Sequence, residues 1–193
     1  MQVYLLRHGE TDWNVQRRLQ GSIDTPLNAN GLNQADAWRP HFDRLQLAGL
    51  YASALDRALH TSWLATGRSA CVIPAFNERG FGVWEGEHWT ELERTVPEFN
   101  ARWNDNLFCP PGGESRQAMF SRVAEALTEL LTQHTADEAI LIVAHGASGH
   151  AIMSTILHHP IEERGRLPSL RNAQLTIMET EGQGALVASA DSD

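Results

Sequence analysis

Residues 3–9, VYLLRHG, run from four apolar side chains straight into an arginine, a histidine and a glycine. Four consecutive apolar, β-prone residues read as a short strand buried on both faces, the signature of a parallel sheet. Residues 138–146, EAILIVAHG, repeat the arrangement, an apolar core ending on His145 and Gly146. Polar side chains that are costly to bury without partners thus stand at the ends of two buried strands, where a ligand or another part of the fold must satisfy them.

Outward from these strands the chain alternates between strand and helix. NANGLNQADAWRPHF opens with asparagine capping signals and reads as a helix. SALDRALHTSWLAT sets Leu55 and Leu59 four apart behind Ser53, a candidate N-cap. From Ser115, SRQAMFSRVAEALTELLTQH places Phe120, Val123, Leu127, Leu130 and Leu131 on one helical face. AQLTIME and ALVAS read as two late strands. Residues 81–113, rich in Trp, Pro and Asn, carry short helical pieces around TELERTV and PEFNARW and read as a small cap inserted between core elements. The expected architecture is α/β: a three-layer α/β/α sandwich, with a mostly parallel central sheet, helices on both faces and sites at the carboxyl ends of the strands. No repeat or linker divides residues 1–193, so one domain is expected.

With 24 acidic against 15 basic side chains the net charge is -9, which disfavours nonspecific attraction to nucleic acid or anionic lipid. An anionic ligand must find local positive charge. Cys71 and Cys109 lie far apart, outside any metal-ligand or disulfide spacing, and read as free thiols. No apolar run approaches membrane-spanning length and no leader pattern precedes Arg7, so the expected location is the cytoplasm, with neither membrane nor nucleic acid as a partner.

If the two His-Gly strands are neighbours, His8 and His145 face one crevice. The glycine after each, Gly9 and Gly146, lets backbone amides approach a ligand closely. Arg57, in the first turn of the helix after GLYAS, adds charge to that crevice. Arg7, Arg57, His8, His145 and Asn14 together suit a dianionic phosphoryl group, because guanidinium forks match phosphate oxygens in pairs. The other seven histidines read as surface or core groups. Their spacings give no shared metal-binding face, and no metal or cofactor is expected.

These residues resemble the histidine phosphatase superfamily, in its phosphoglycerate-mutase-like branch. LLRHGETDWN is similar to that family's hallmark motif, SALDRALHTS to its second arginine element, NERGFGVWEG to its acidic loop, PGGES to the start of its long helix, VAHGASG to its second histidine, and LRNAQLT to a late asparagine-containing element. The resemblance implies His8 as the nucleophile that becomes phosphorylated, with Arg7, Arg57 and a protonated His145 completing the phosphate pocket and Asn14 as a further donor. It implies Glu78 as general acid and base, with Glu85 ranked second, and Gln20 and Gly21 on the substrate-side loop. Ser22 departs from the tryptophan that many relatives carry there.

The resemblance implies a phosphatase acting on small phosphorylated metabolites without metal, and leaves a homodimer open. The alternatives are a cofactor-dependent phosphoglycerate mutase and a non-catalytic phosphate-binding module. Mutases of this family carry a longer, more basic insertion. Here residues 86–112 hold only Arg94 and Arg102 as basic side chains besides histidine, which favours hydrolysis. Phe81, Trp84, Trp89, Phe99 and Trp103 are expected to pack the cap against the core more than to line a substrate pocket.

Overall fold

A computed structural model describes residues 1–180 and 185–190; the parts of the expected domain at 181–184 and 191–193 lie outside the described residues. Its six-stranded sheet runs β3 (Cys71–Val72), β2 (Gly49–Ala52), β4 (Ala139–Ala144), β1 (Gln2–Arg7), β5 (Leu175–Glu179), β6 (Ala185–Ala190) from edge to edge. The first four are mutually parallel, and β5 is antiparallel to both β1 and β6. Both late strands therefore form as expected, on the far side of β1.

The central strands bury both faces because residues 3–6 of β1 and 139–144 of β4 are apolar. Val3 and Leu5 of β1, with Ile140, Ile142 and Ala144 of β4, join one core layer; Tyr4, Leu6, Leu141 and Val143 join the other. On the first face lie α7 (Arg116–Leu131) and α8 (Gly146–Ile156); α7 inserts Met119, Val123, Leu127 and Leu130, with Phe120 and Leu131 only partly buried at its margin. Each fully buried aliphatic side chain contributes about 1.5–3 kcal/mol of transfer free energy. The opposite face is covered by α3 (Arg39–Phe42) and α4 (Asp56–Thr66), with α2 (Ala29–Asp36) packed on α4.

Two local expectations need correction. The segment expected as one helix after Asn28 is two, α2 and α3, and its turn lets Trp38 Nε1 donate to the Ala173 carbonyl at 2.8 Å. Helix α4 takes Leu55 as N-cap, not Ser53, whose hydroxyl is drawn into the site described below. The remaining helices are α1 (Asp12–Val15) and two in the cap, α5 (Trp89–Thr95) and α6 (Phe99–Asn104). The cap aromatics form their own cluster: Phe81, Trp84, Leu92 and Phe99 are buried, with Trp89 and Trp103 packed against them. Among the described residues no helix is long and apolar enough to cross a membrane.

Candidate active site

Because β1 and β4 pair in parallel with Arg7 beside Ala144, the next residue of each strand, His8 and His145, emerges at the same edge. Their ring centroids are 5.1 Å apart. The crevice above them is lined by Arg7, His8, Asn14, Arg18, Gln20, Gly21, Arg57 and Glu78, with Phe81 and Trp103 of the cap. Close backbone approach makes this possible at Gly9, where any side chain would collide with the Gly31 backbone that brings α2 against the His8 loop.

His8 is buried, and its Nδ1–H donates to the Gly9 carbonyl at 2.7 Å. That bond selects the tautomer with an unprotonated Nε2, which makes no hydrogen bond among the described residues. Burial, then the charges of Arg7 and Arg57, hold the His8 imidazole well below its ordinary pKa. His145 is pushed down in the same way, by burial first and then by Arg57, His8 and Arg7. Its Nδ1 accepts from Arg57 Nε at 3.2 Å, and its Nε2 lies 2.6 Å from Ser53 Oγ. Both nitrogens are engaged and one must accept, so the protonated His145 expected from the sequence is corrected to a neutral ring that orients Arg57.

Two buried neutral imidazoles make the fold sensitive to acid. Stability is at its full value above about pH 6.5, where both rings are neutral whether folded or unfolded. Below that, the unfolded chain binds protons that the folded one refuses, and stability falls, by up to about 1.4 kcal/mol per pH unit for each ring. Urea midpoints at about pH 7.5 and 5.5 check this, and an unchanged or higher midpoint at the lower pH would contradict it.

Arg57 is buried and Arg7 is half-buried, and burial disfavours both charges while the Glu78 carboxylate opposes that effect. Arg57 donates from Nη1 to the Ile23 carbonyl and from Nη2 to the Gly21 carbonyl, each at 2.8 Å, and Asp24 Oδ1 stands 3.7 Å away. Arg7 donates from Nη1 to the Leu170 carbonyl at 2.6 Å, but its buried Nε finds no acceptor among the described residues. Such an orphaned donor costs about 1–3 kcal/mol. Asn14 is aimed by its oxygen: Oδ1 accepts from Thr11 N, Thr11 Oγ1 and Asn172 Nδ2, which leaves its amide N–H groups for the crevice.

Glu78 sits across the crevice at the N-terminus of α8, its carboxylate accepting from Ala147 N at 3.1 and 3.0 Å, Ser148 N at 3.2 Å and Arg79 N at 2.9 Å. The loop that carries it is clamped to α7. Arg122 donates to the carbonyls of Ala75 and Glu78 and is paired with Glu114 at 2.5 Å, while Glu114 also accepts from Gly80 N. Glu85 is placed elsewhere. Its Oε1 accepts from Ser22 N and Phe81 N, tying the substrate-side loop to the cap, and Gly21, at φ +57°, has no room for a side chain against it. Gln20 lines the crevice with its Oε1 held by Thr25 Oγ1.

Ser53, Thr61 and Asn172 carry structural roles at this site that the sequence reading did not assign. Thr61 Oγ1 accepts from Gly9 N at 2.9 Å, and Asn172 Nδ2 also reaches the His8 carbonyl at 3.2 Å. Their only sequence signal is position within the SALDRALHTS and LRNAQLT stretches.

The chain matches the family model described as histidine phosphatase superfamily (branch 1) over residues 3–192. It is 34% identical over 186 residues to a probable phosphoglycerate mutase of Enterobacter sp. (strain 638), covering 91% of this chain and 83% of that protein. To a metal-independent phosphoserine phosphatase of Arabidopsis thaliana it is 30% identical over 197 residues, 97% and 80% of the two chains. Among solved structures, a mycobacterial glucosyl-3-phosphoglycerate phosphatase in complex with VO3 aligns over 96% of each chain, with a TM-score of 0.86 and 29% identity.

Proposed function

Because the chain belongs to the histidine phosphatase superfamily (branch 1), we propose that it hydrolyses phosphomonoesters through a phosphohistidine formed on His8. One observation carries this reading: a buried, neutral His8 whose unpartnered Nε2 faces a crevice flanked by the guanidiniums of Arg7 and Arg57. Such a crevice has charge to offer a dianion and a lone pair to attack it.

In the first displacement Nε2 of His8 bonds to phosphorus as the P–O bond to the alcohol breaks, and the protonated Glu78 carboxyl delivers its proton to the departing oxygen. In the second, water attacks phosphorus as the P–N bond to His8 breaks, its proton passes to the Glu78 carboxylate, and phosphate leaves. Arg7, Arg57 and Asn14 donate to the equatorial oxygens from positions fixed beforehand, which costs little reorganisation. His145 acts through Arg57, and Gly146 opens the α8 terminus to the ligand. Substituting Arg57→Lys keeps a positive charge but loses the fork and its three anchoring bonds. Its kcat/KM is expected to fall about a hundredfold to a thousandfold, checked with p-nitrophenyl phosphate beside a thermal unfolding curve.

The cap favours hydrolysis over mutase chemistry. Arg94 is paired with Glu91 on the surface and Arg102 lies over the Phe108 ring, so neither lines the crevice to hold a substrate carboxylate. The test is phosphate release from p-nitrophenyl phosphate and a panel of metabolite phosphates with chelator present. Release from the wild-type protein supports the proposal. Isomerisation of 3-phosphoglycerate that needs a bisphosphoglycerate primer, with negligible release, would replace it with the mutase reading.

A further inference from the structure

A second cavity, of about 370 Å³, adjoins the crevice behind Trp103, and its size is that of a ligand pocket. Apolar side chains make most of its wall: Trp103, Phe120, Ala147, Ala151, Ile161 and Leu167. Arg116, His150, Ser154 and Ser169 supply a polar margin. Trp103 and Ala147 border both cavities.

The junction lies at Glu78. Gly146 lines the second cavity, and a Cβ built on it would sit 3.5 Å from Glu78 Oε2 and 3.9 Å from Arg7 Cζ. In-line attack by His8 puts the departing oxygen on the far side of phosphorus, where the acid must stand. The carbon skeleton attached to that oxygen then passes over Gly146 and Ala147 into the apolar cavity. Its wall is preformed. Trp103 stacks on Phe81 at 5.5 Å and meets the Trp89 edge at 4.7 Å, while Arg116 donates to the Trp103 carbonyl at 2.9 Å and lies 5.5 Å from the indole. A rigid apolar wall rewards apolar surface and penalises hydroxyls or carboxylates that it leaves without partners.

We infer that this cavity binds the alcohol portion of the substrate and selects phosphomonoesters of bulky apolar alcohols over those of polyols and hydroxy acids. The inference rests on the hydrolytic reading above and adds a substrate class to it.

The test compares 2-phenylethyl phosphate with glycerol 3-phosphate, two primary alkyl esters of matched leaving-group type. The wild-type protein is expected to prefer the first by at least about tenfold in kcat/KM, equivalent to about 1.4 kcal/mol. Two variants alter the cavity. A Cβ on Gly165, one of its lining residues, meets no heavy atom within 4 Å, so Gly165→Phe has room for its first carbon and adds a ring beside the cavity; Phe120→Ala removes a wall. Both are expected to erode the preference through KM, with glycerol 3-phosphate changed by less than about twofold. Equal kcat/KM for the two esters in the wild-type protein, or equal losses on both in the variants, overturns the inference and leaves hydrolysis standing. Calorimetric titration of the His8→Ala variant separates the two readings. If neither ester is cleaved yet 2-phenylethyl phosphate binds at least about tenfold more tightly than glycerol 3-phosphate, the cavity assignment holds and hydrolysis falls. If neither ester is cleaved and both bind alike, both readings fall.

Discussion

His8→Ala is expected to lower phosphate release about a thousandfold to a millionfold, the scale seen when a covalent catalyst loses its nucleophile while its binding groups remain. The physical reason is specific to this ring. Its Nδ1–H is committed to the Gly9 carbonyl, so the reacting electron pair sits on Nε2, and no other imidazole lines the crevice among the described residues. His145 cannot substitute, since Arg57 and Ser53 already occupy both of its nitrogens. Rapid quenching in base during turnover should trap a phosphoryl group on His8, because a P–N bond survives base and breaks in acid. A variant that retains more than about a tenth of wild-type turnover while remaining folded would remove the covalent step from the mechanism.

Glu78→Gln is expected to cost about a hundredfold to ten-thousandfold in kcat on alkyl phosphates, the range for losing a positioned acid and base. The loss should depend on the step observed. With p-nitrophenyl phosphate the departing phenolate needs little help from an acid, so His8 is still phosphorylated and nitrophenol appears as a burst of about one equivalent. The second step then stalls for want of a base to take the proton from water. With its carbonyl oxygen at the Oε1 position, glutamine can still accept the Ala147 and Ser148 N–H bonds, which keeps the loop in place. Equal losses on both substrates without a burst would mean that Glu78 positions the helix terminus and moves no proton.

Much of this architecture is legible in one dimension because burial has a period. The unbroken apolar run at residues 3–6 excludes a half-exposed strand, and its double at 140–144 supplies the neighbour that a parallel sheet needs. The spacing of Val123, Leu127 and Leu130 likewise needs no partner to be recognised as one face of a helix. The helix after Asn28 was less legible: α2 stops at Asp36 because the turn carries Trp38 to the Ala173 carbonyl, a bond spanning 135 positions. Ser53 illustrates the same limit. A serine that opens a helical pattern is an ordinary capping signal, and only the folded chain sets the helix start at Asp56 and the Ser53 hydroxyl against His145.

The sheet, the two strand-ending histidines, the long helix and the residue types of a phosphate pocket are all readable in one dimension, because they depend on local pattern and composition. Tertiary structure decided the protonation and partners of those residues. Placing His145 between Arg57 and Ser53 makes it a neutral orienter of Arg57. Three donors on Asn14 Oδ1 turn its amide toward the crevice, and bonds from Ser22 N and Phe81 N hold Glu85 between the substrate-side loop and the cap. Charge and hydrogen bonding act over a few ångströms between segments far apart in the chain, so their outcome exists only once the chain has folded.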